Sequence, residues 1–290
     1  MTQSGLASSR GPVAPRLAIQ GSRSLTQSDS HNSANVLLEL CAGGIEDVRL
    51  AARLKVDRIE LNSGMALGGL TPSAGLVTAS RREFCGPIIA MVRPREGGFL
   101  YSSAEFLQML DDCEFLLARG VDGIAIGFLK ADGTVDQDRC RKLRAVFPKA
   151  TLVFHKAFDM TPDLSQALQQ LIDCGFQRIL TSGGKPTAIE GAKVLGELQE
   201  AARGRIEILA GGGVRAANVA ELLKQSGCRQ VHSAVRTIVA DPSSLNDTAL
   251  QFGIPGTQSS GCFGAASEGQ FFELQAAIAE FTGCSCTELS

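Results

Sequence analysis

From residue 36 to about residue 236 the chain repeats one alternation, a short apolar run followed by a longer amphipathic stretch. The apolar runs fall at residues 36–41, 57–62, 87–92, 122–127, 151–155, 178–181, 207–211 and 230–233. Between them the apolar residues recur at helical spacing: Phe106, Leu110, Cys113 and Leu117 form one stripe, Leu164, Leu168, Leu171 and Cys174 another, and Val219, Leu222 and Leu223 a third. Asp163 stands where a helix cap is expected, and Gly120 and Gly175 where helices stop. Parallel strands need crossover helices, and eight strands close into a filled cylinder, so the pattern predicts a single-domain (β/α)8 barrel of the TIM type. A doubly wound open sheet is the competitor. It is disfavoured because Cys41-Ala42-Gly43-Gly44, and no GxGxxG, follows the first run.

The 290 residues carry 28 Lys plus Arg against 30 Asp plus Glu, a formal charge of -2. No basic field exists to hold nucleic acid, and no apolar run approaches the roughly 18 residues of a membrane helix. Neither nucleic acid nor a membrane is therefore expected as a partner. Nine cysteines, an odd number with no CxxC pair, point to reduced thiols in the cytoplasm rather than a secreted disulfide framework. Residues 1–28 contain no acid, while Arg10, Arg16 and Arg23 recur among Ser and Gly. That composition fits a disordered tail over residues 1–35 and equally an organelle-targeting transit segment. Residues 36–240 are assigned to the barrel and residues 241–290 to a C-terminal loop and helix packing on it. The loop is expected to run to Ser267 and the helix over residues 269–281, carrying Phe271, Phe272, Leu274 and Ile278.

In a barrel strand alternate side chains point inward, and the C-terminal strand ends form the site. By that parity Glu39 and Cys41 face inward on the first strand and Glu60 on the second, with Asn62 beyond it. Met91, Arg93 and Arg95 continue inward from the third. His155 ends the fifth and Asp159 follows it; Thr181 and Ser182 close the sixth; His232 and Ser233 close the eighth. Gly212 and Gly213 after the seventh strand offer backbone N–H groups to an anion, or simply make a tight turn. Thr71 and Pro72, after Gly68-Gly69, read as the cap and first residue of a helix. Buried acids need cations, for which Arg93 and Arg95 are the candidates. The ensemble reads either as an internal ion-pair network plugging the barrel or as a site for a small anionic ligand. As an enzyme site it would bind a carboxylate or phosphate through Arg93 and Arg95. Glu39, Glu60, His155 and Asp159 would be the catalytic groups, and Ser182 or His232 would serve a developing oxyanion, in lyase, isomerase or hydrolase chemistry.

Seven segments, in order, carry a further signal: Leu38-Glu39-Leu40-Cys41, Asp57-Arg58-Ile59-Glu60-Leu61, Gly68 through Ser73, Arg93-Pro94-Arg95 with Tyr101-Ser102, Phe154-His155-Lys156-Ala157-Phe158-Asp159, Leu180-Thr181-Ser182-Gly183 and Val231-His232-Ser233. Over about residues 36–236 the chain resembles the CutC family of copper homeostasis proteins. The resemblance implies a TIM-type barrel, a cytoplasmic location, self-association as a dimer or tetramer, and a role in copper handling. It departs from the family where Cys commonly follows the Glu-Leu of the second strand and this chain has Asn62. Cu(I) prefers thiolate, thioether and imidazole ligands, which leaves Cys41, His155 and His232 as its candidate ligands. Cys284 and Cys286 near the C-terminus are a second possible chelator or an incidental dithiol.

Overall fold

The structure, a computed structural model, describes residues 35–244 and 261–283. Of the tail expected over residues 1–35, residues 1–34 lie outside the described residues, as do Cys284 and Cys286. Eight parallel strands close into a barrel in sequence order: β1 (Leu37–Ala42), β2 (Arg58–Leu61), β3 (Ile88–Met91), β4 (Gly123–Ile126), β5 (Thr151–Phe154), β6 (Arg178–Thr181), β7 (Glu207–Gly211) and β8 (Gln230–Ser233). Between them run α1 (Ile45–Arg53), α2 (Ala74–Glu83), α3 (Ser103–Ala118), α4 (Gln137–Val146), α5 (Leu164–Asp173), α6 (Ala192–Ala202) and α7 (Ala216–Ser226). This is the (β/α)8 TIM-type barrel that the alternation predicts.

The strands bury both faces, as parallel strands covered by helices must. Outward residues such as Leu40, Ile59, Ile88, Ile124, Leu152 and Ile179 join the helix faces in one large apolar cluster. Inside the barrel, Ile89, Met91, Ala125, Val153, Leu180 and Leu209 form a second, smaller one. Each fully buried Leu, Ile or Phe contributes about 1.5–3 kcal/mol of transfer free energy. Register places the interior polar groups: Glu39 of β1 stands level with Arg58 of β2 and His232 of β8, and Cys41 stands level with Glu60.

Three local expectations need correction. The buried face of α3 is Phe106, Met109, Cys113 and Leu116, with Leu110 and Leu117 only partly covered, because the helix is rotated toward the i, i+3, i+7 row. Ser73, not Thr71, caps α2, accepting from Leu76 N at 3.2 Å. Thr71 is held extended against the end of β3 instead, its N–H donating to Arg93 O at 3.0 Å and its Oγ1 accepting from Arg93 N at 3.0 Å. The stretch expected as loop to Ser267 contains β10 (Cys262–Ala266), which pairs antiparallel with β9 (Arg236–Ala240); residues 245–260 lie outside the described residues. Asp163 does cap α5, accepting from Gln166 N at 2.9 Å. A last helix, α8 (Glu268–Thr282), lies against α7 and buries Phe271, Leu274 and Ile278, while Phe272 is exposed.

The β9–β10 ribbon is fastened to the barrel mouth through Asp47 of α1. Its carboxylate accepts from Gly43 N and Ala266 N, each at 2.8 Å, and from Arg236 Nη1 at 3.1 Å. Truncation removes the acceptor of all three and strands a half-buried guanidinium. Asp47→Ala is expected to lower unfolding free energy by about 2–4 kcal/mol, measured by urea denaturation, and to open the ribbon to limited proteolysis.

Candidate functional site

The barrel floor is polar. Arg58, Arg178, Glu207 and Gln230 are the first residues of their strands, and the two arginines share Gln230 Oε1, at 2.7 Å from Arg58 Nη2 and 3.1 Å from Arg178 Nε. Arg178 also pairs with Glu207 at 2.5 Å. One level up, the Glu39 carboxylate is 2% exposed. It accepts from Arg58 Nε on one oxygen and from His232 Nδ1 on the other, the latter at 2.8 Å. Burial pushes this carboxyl up, but the His232 hydrogen bond and the Arg58 charge outweigh it and hold the pKa at about 2.

Fixing the Nδ1 proton on Glu39 leaves His232 Nε2 toward the mouth, 4.0 Å from Glu60 Oε2. Burial alone would strip the imidazolium of its proton; the charge of Glu60 overrides it and raises the His232 pKa well above the usual value. Glu60 itself is pushed up, chiefly by burial. Cys41 Sγ lies 3.6 Å from Glu60 Oε2, and burial raises this thiol as well. One ligand atom each from Cys41, Glu60 and His232 falls within 4.8 Å of the others. Asn62 Nδ2 ties the group together, donating to Glu60 Oε2 at 2.9 Å and to Cys41 Sγ at 3.4 Å. Gly69 (φ +88°) is needed beside it, since a Cβ there would stand 2.5 Å from Asn62 Oδ1. Met65, in a 3-10 turn after β2, brings its Sδ to 3.9 Å from Cys41 Sγ.

A cavity of about 300 Å³ opens above this cluster, and its other wall comes from β3, β5 and their loops. Arg93 is buried and donates to the carbonyl oxygens of Leu67, Gly69 and Gly97 at 2.8, 3.0 and 2.8 Å, and its guanidinium also interacts with the Tyr101 hydroxyl. Its guanidinium lies 5.4 Å from the Phe99 ring centre. His155 accepts Ala157 N–H on Nδ1 at 3.2 Å, which caps the short helix Lys156–Met160 and leaves the ring proton on Nε2. Burial, with the charge of Arg93 in support, lowers the His155 pKa to about 3. The ring fits only because residue 127 is glycine, where a Cβ would come within 2.6 Å of it.

Of the residues expected at the site, the structure brings Cys41, Glu60, Arg93, His155 and His232 to this cavity, with Glu39 directly beneath. It does not bring the others. Arg95 is turned outward onto Glu105 at 2.5 Å and the carbonyls of Glu96, Gly98 and Leu100. Asp159 is consumed in loop closure, accepting from Thr181 Oγ1 at 2.5 Å and from the N–H groups of Ser182 and Gly184. Ser182 donates to Lys185 O and Ser233 to Val214 O. Gly212 and Gly213 form a turn away from the cavity lining, and His155 stands apart from the Cys41–Glu60–His232 cluster. Parity would have found Arg58, which alternates with Glu60, and Arg178, which alternates with Leu180. Met65, Phe99 and Lys156, which also line the cavity, sit in loops and carry no periodic signal.

The family model described as the CutC family matches residues 36–237. A family protein CutC of Treponema denticola is 44% identical over 219 residues, covering 76% of this chain and 89% of the relative. The human copper homeostasis protein cutC homolog is 38% identical over 216 residues, covering 74% and 77%. A solved CutC structure from Streptococcus agalactiae superposes with a TM-score of 0.65 at 33% identity, covering 68% of this chain and 97% of that one.

A histidine neutral in the folded state and protonated when unfolded makes folding acid-sensitive. Its contribution is complete above the unfolded value, about 6.5, and declines as pH falls toward the folded one. Between pH 6 and pH 5 unfolded His155 binds a proton that folded His155, with a pKa of about 3, does not. His232, raised in the folded state, is protonated in both states there and adds no slope. His155→Asn, which keeps a capping acceptor, is expected to reduce the pH dependence of stability in this window by about 1.4 kcal/mol per pH unit, read by urea denaturation at each pH.

Proposed function

The chain belongs to the CutC family, and from that membership we propose that it is a cytosolic copper-homeostasis protein that takes up Cu(I) at the mouth of its barrel. The observation that carries this reading is the donor set: the Cys41 thiol with the Met65 thioether 3.9 Å away, and the His232 imidazole clustered with Cys41 within 4.8 Å. Thiolate, thioether and imidazole are the ligands a soft monovalent ion prefers, and Glu60 adds a carboxylate beside them. Glu39 acts as the carboxylate that orients a ligating histidine, holding the Nδ1 proton so that Nε2 is the donor atom. Human and mouse relatives are described as copper homeostasis proteins, and the seven cysteines among the described residues are free, in keeping with a reducing compartment. Among the described residues no helix is long and apolar enough to cross a membrane. Self-association as a dimer or tetramer belongs to the same reading and is measured by light scattering.

Cu(I) competition with a chromogenic chelator tests the site. The full chain is expected to bind one Cu(I) through it, Cys41→Ser to weaken binding at least tenfold, and the tail variant Cys284→Ser/Cys286→Ser to retain it. Binding that is indifferent to Cys41 and lost with the tail cysteines would reject the barrel site. Asn62→Cys, which supplies the thiol that the family resemblance implies at this position, is expected to raise Cu(I) affinity at least tenfold in the same assay.

A further inference from the structure

The proposed copper ligands lie at the bottom of a cavity rather than on the surface. Cys41 is 5% exposed and the His232 side chain 12%, and both line the cavity. Met65, Gly68, Gly69 and Phe99 wall the space above them. Lys156 lines the same cavity nearer solvent, its side chain 43% exposed. Its ammonium has one anionic neighbour, Asp159 Oδ2 at 4.0 Å, and that carboxylate already accepts from Thr181 Oγ1 and the N–H groups of Ser182 and Gly184. So long and exposed a pair is weak, which leaves the ammonium open to an anion in the cavity. Cu(I) disproportionates when free in water, so it travels as a complex, and it exchanges ligands associatively: the incoming sulfur bonds before the departing one leaves. At least one ligand of the donor must therefore enter the cavity with the ion. The cavity, about 300 Å³, is at the low end of ligand sites and holds one small molecule. A protein carrier would have to thread a backbone loop, cysteines included, to the same depth.

We propose that copper reaches Cys41 as the Cu(I) complex of a small thiol that carries a carboxylate, the carboxylate meeting Lys156 while the ion passes to the cluster. The inference rests on the copper reading and names the form in which the ion is delivered. A bis-thiolate complex of Cu(I) carries one negative charge on its reacting atoms. It meets the Cys41 thiol and the His232 imidazolium, and the products are Cu(I) bound by the Cys41 sulfur and His232 Nε2, plus two free thiols. Two copper–sulfur bonds break, one copper–sulfur and one copper–nitrogen bond form, and the two protons leave on the departing sulfurs. Charge balances and nothing is oxidised, so no co-reactant is needed. Met65 Sδ, 3.9 Å from Cys41 Sγ, supplies a thioether beside the transferred ion.

The test follows copper loading of the copper-free, full-length protein without oxygen. Cu(I) is supplied, at the same free concentration each time, by N-acetylcysteine, by its uncharged amide, or by cysteine grafted to dextran through its nitrogen on a short link. The grafted form keeps thiol and carboxylate but is too large for the cavity. Samples desalted at timed intervals give the protein-bound copper. Free N-acetylcysteine is expected to load the protein at least tenfold faster than the grafted thiol and at least threefold faster than the amide, and Lys156→Gln to abolish the preference for acid over amide. Equal rates from free and grafted thiol, equal rates from acid and amide, or a preference that Lys156→Gln leaves intact would overturn the proposal. So would faster loading from a Cu(I)-loaded two-cysteine carrier domain than from the small thiol. Chelator competition on the same samples separates the two claims. Cys41-dependent affinity with loading indifferent to donor size overturns this inference alone, whereas loss of any Cys41-dependent binding overturns the copper reading and this inference with it.

Discussion

Placing the Glu39 carboxylate inside a closed barrel is the constraint from which the rest of the interior follows. An ion taken out of water loses several kcal/mol of hydration, recovered only by well-placed opposite charge and hydrogen bonds. Arg58 and His232 flank Glu39 in register on the neighbouring strands, so each carboxylate oxygen has its own donor. Arg58 in turn uses Gln230, which also takes Arg178, which pairs with Glu207. A polar column thus runs from the floor to the mouth. Its top member, the His232 ring, cannot rotate without breaking a bond inside the barrel, and the orientation of Nε2 toward Cys41 and Glu60 is inherited from the floor.

The two site histidines show how neighbours decide chemistry. Both are buried, and burial works against the charged form of each. His232 faces Glu39 and Glu60 and holds its proton; His155 faces Arg93 and loses it. The cavity therefore has a carboxylate- and sulfur-bearing side on β8, β1 and β2, and a side on β3 and β5 that carries Arg93 and His155. Met91, Phe99 and Leu180 add apolar walls. A barrel whose strands differed only in apolar residues could not maintain such a division.

Much of this was legible in the sequence because a strand's period of two is rigid. Parity from Leu38 and Leu40 placed Glu39 and Cys41 inside, and the same rule placed Glu60, Arg93, His155 and His232. The rule stops where the strand does: β3 ends at Met91, so Arg95, four residues on and past Pro94, follows the loop to Glu105 on α3. Asp159, Ser182 and Ser233 are short polar side chains near loops, where closing backbone turns competes with facing a ligand, and turn closure wins. Arg58, the cationic partner of Glu39, was missed because cations were sought at the C-terminal strand ends, while it lies at the start of β2. Met65 and Phe99 reach the cavity through irregular segments whose course depends on tertiary contacts. The same holds for β10, whose Gly- and Ala-containing sequence reads as loop until β9 is beside it.

The protonation of the thiol cluster bears on what kind of ion it can accept. Cys41 carries its proton at neutral pH because burial raises the thiol, so a metal binding there as the thiolate complex displaces a proton into solvent. Ligation through His232 Nε2 displaces a second proton, because the field of Glu60 holds that ring as the imidazolium. With Asn62 in place of a second thiol, the cluster offers one thiolate, one thioether and one imidazole, a set matched in softness to a monovalent copper ion. The amide is then more than a lost ligand. By donating to Glu60 and Cys41 at once it holds the carboxylate against the sulfur and keeps the cluster assembled before any ion arrives.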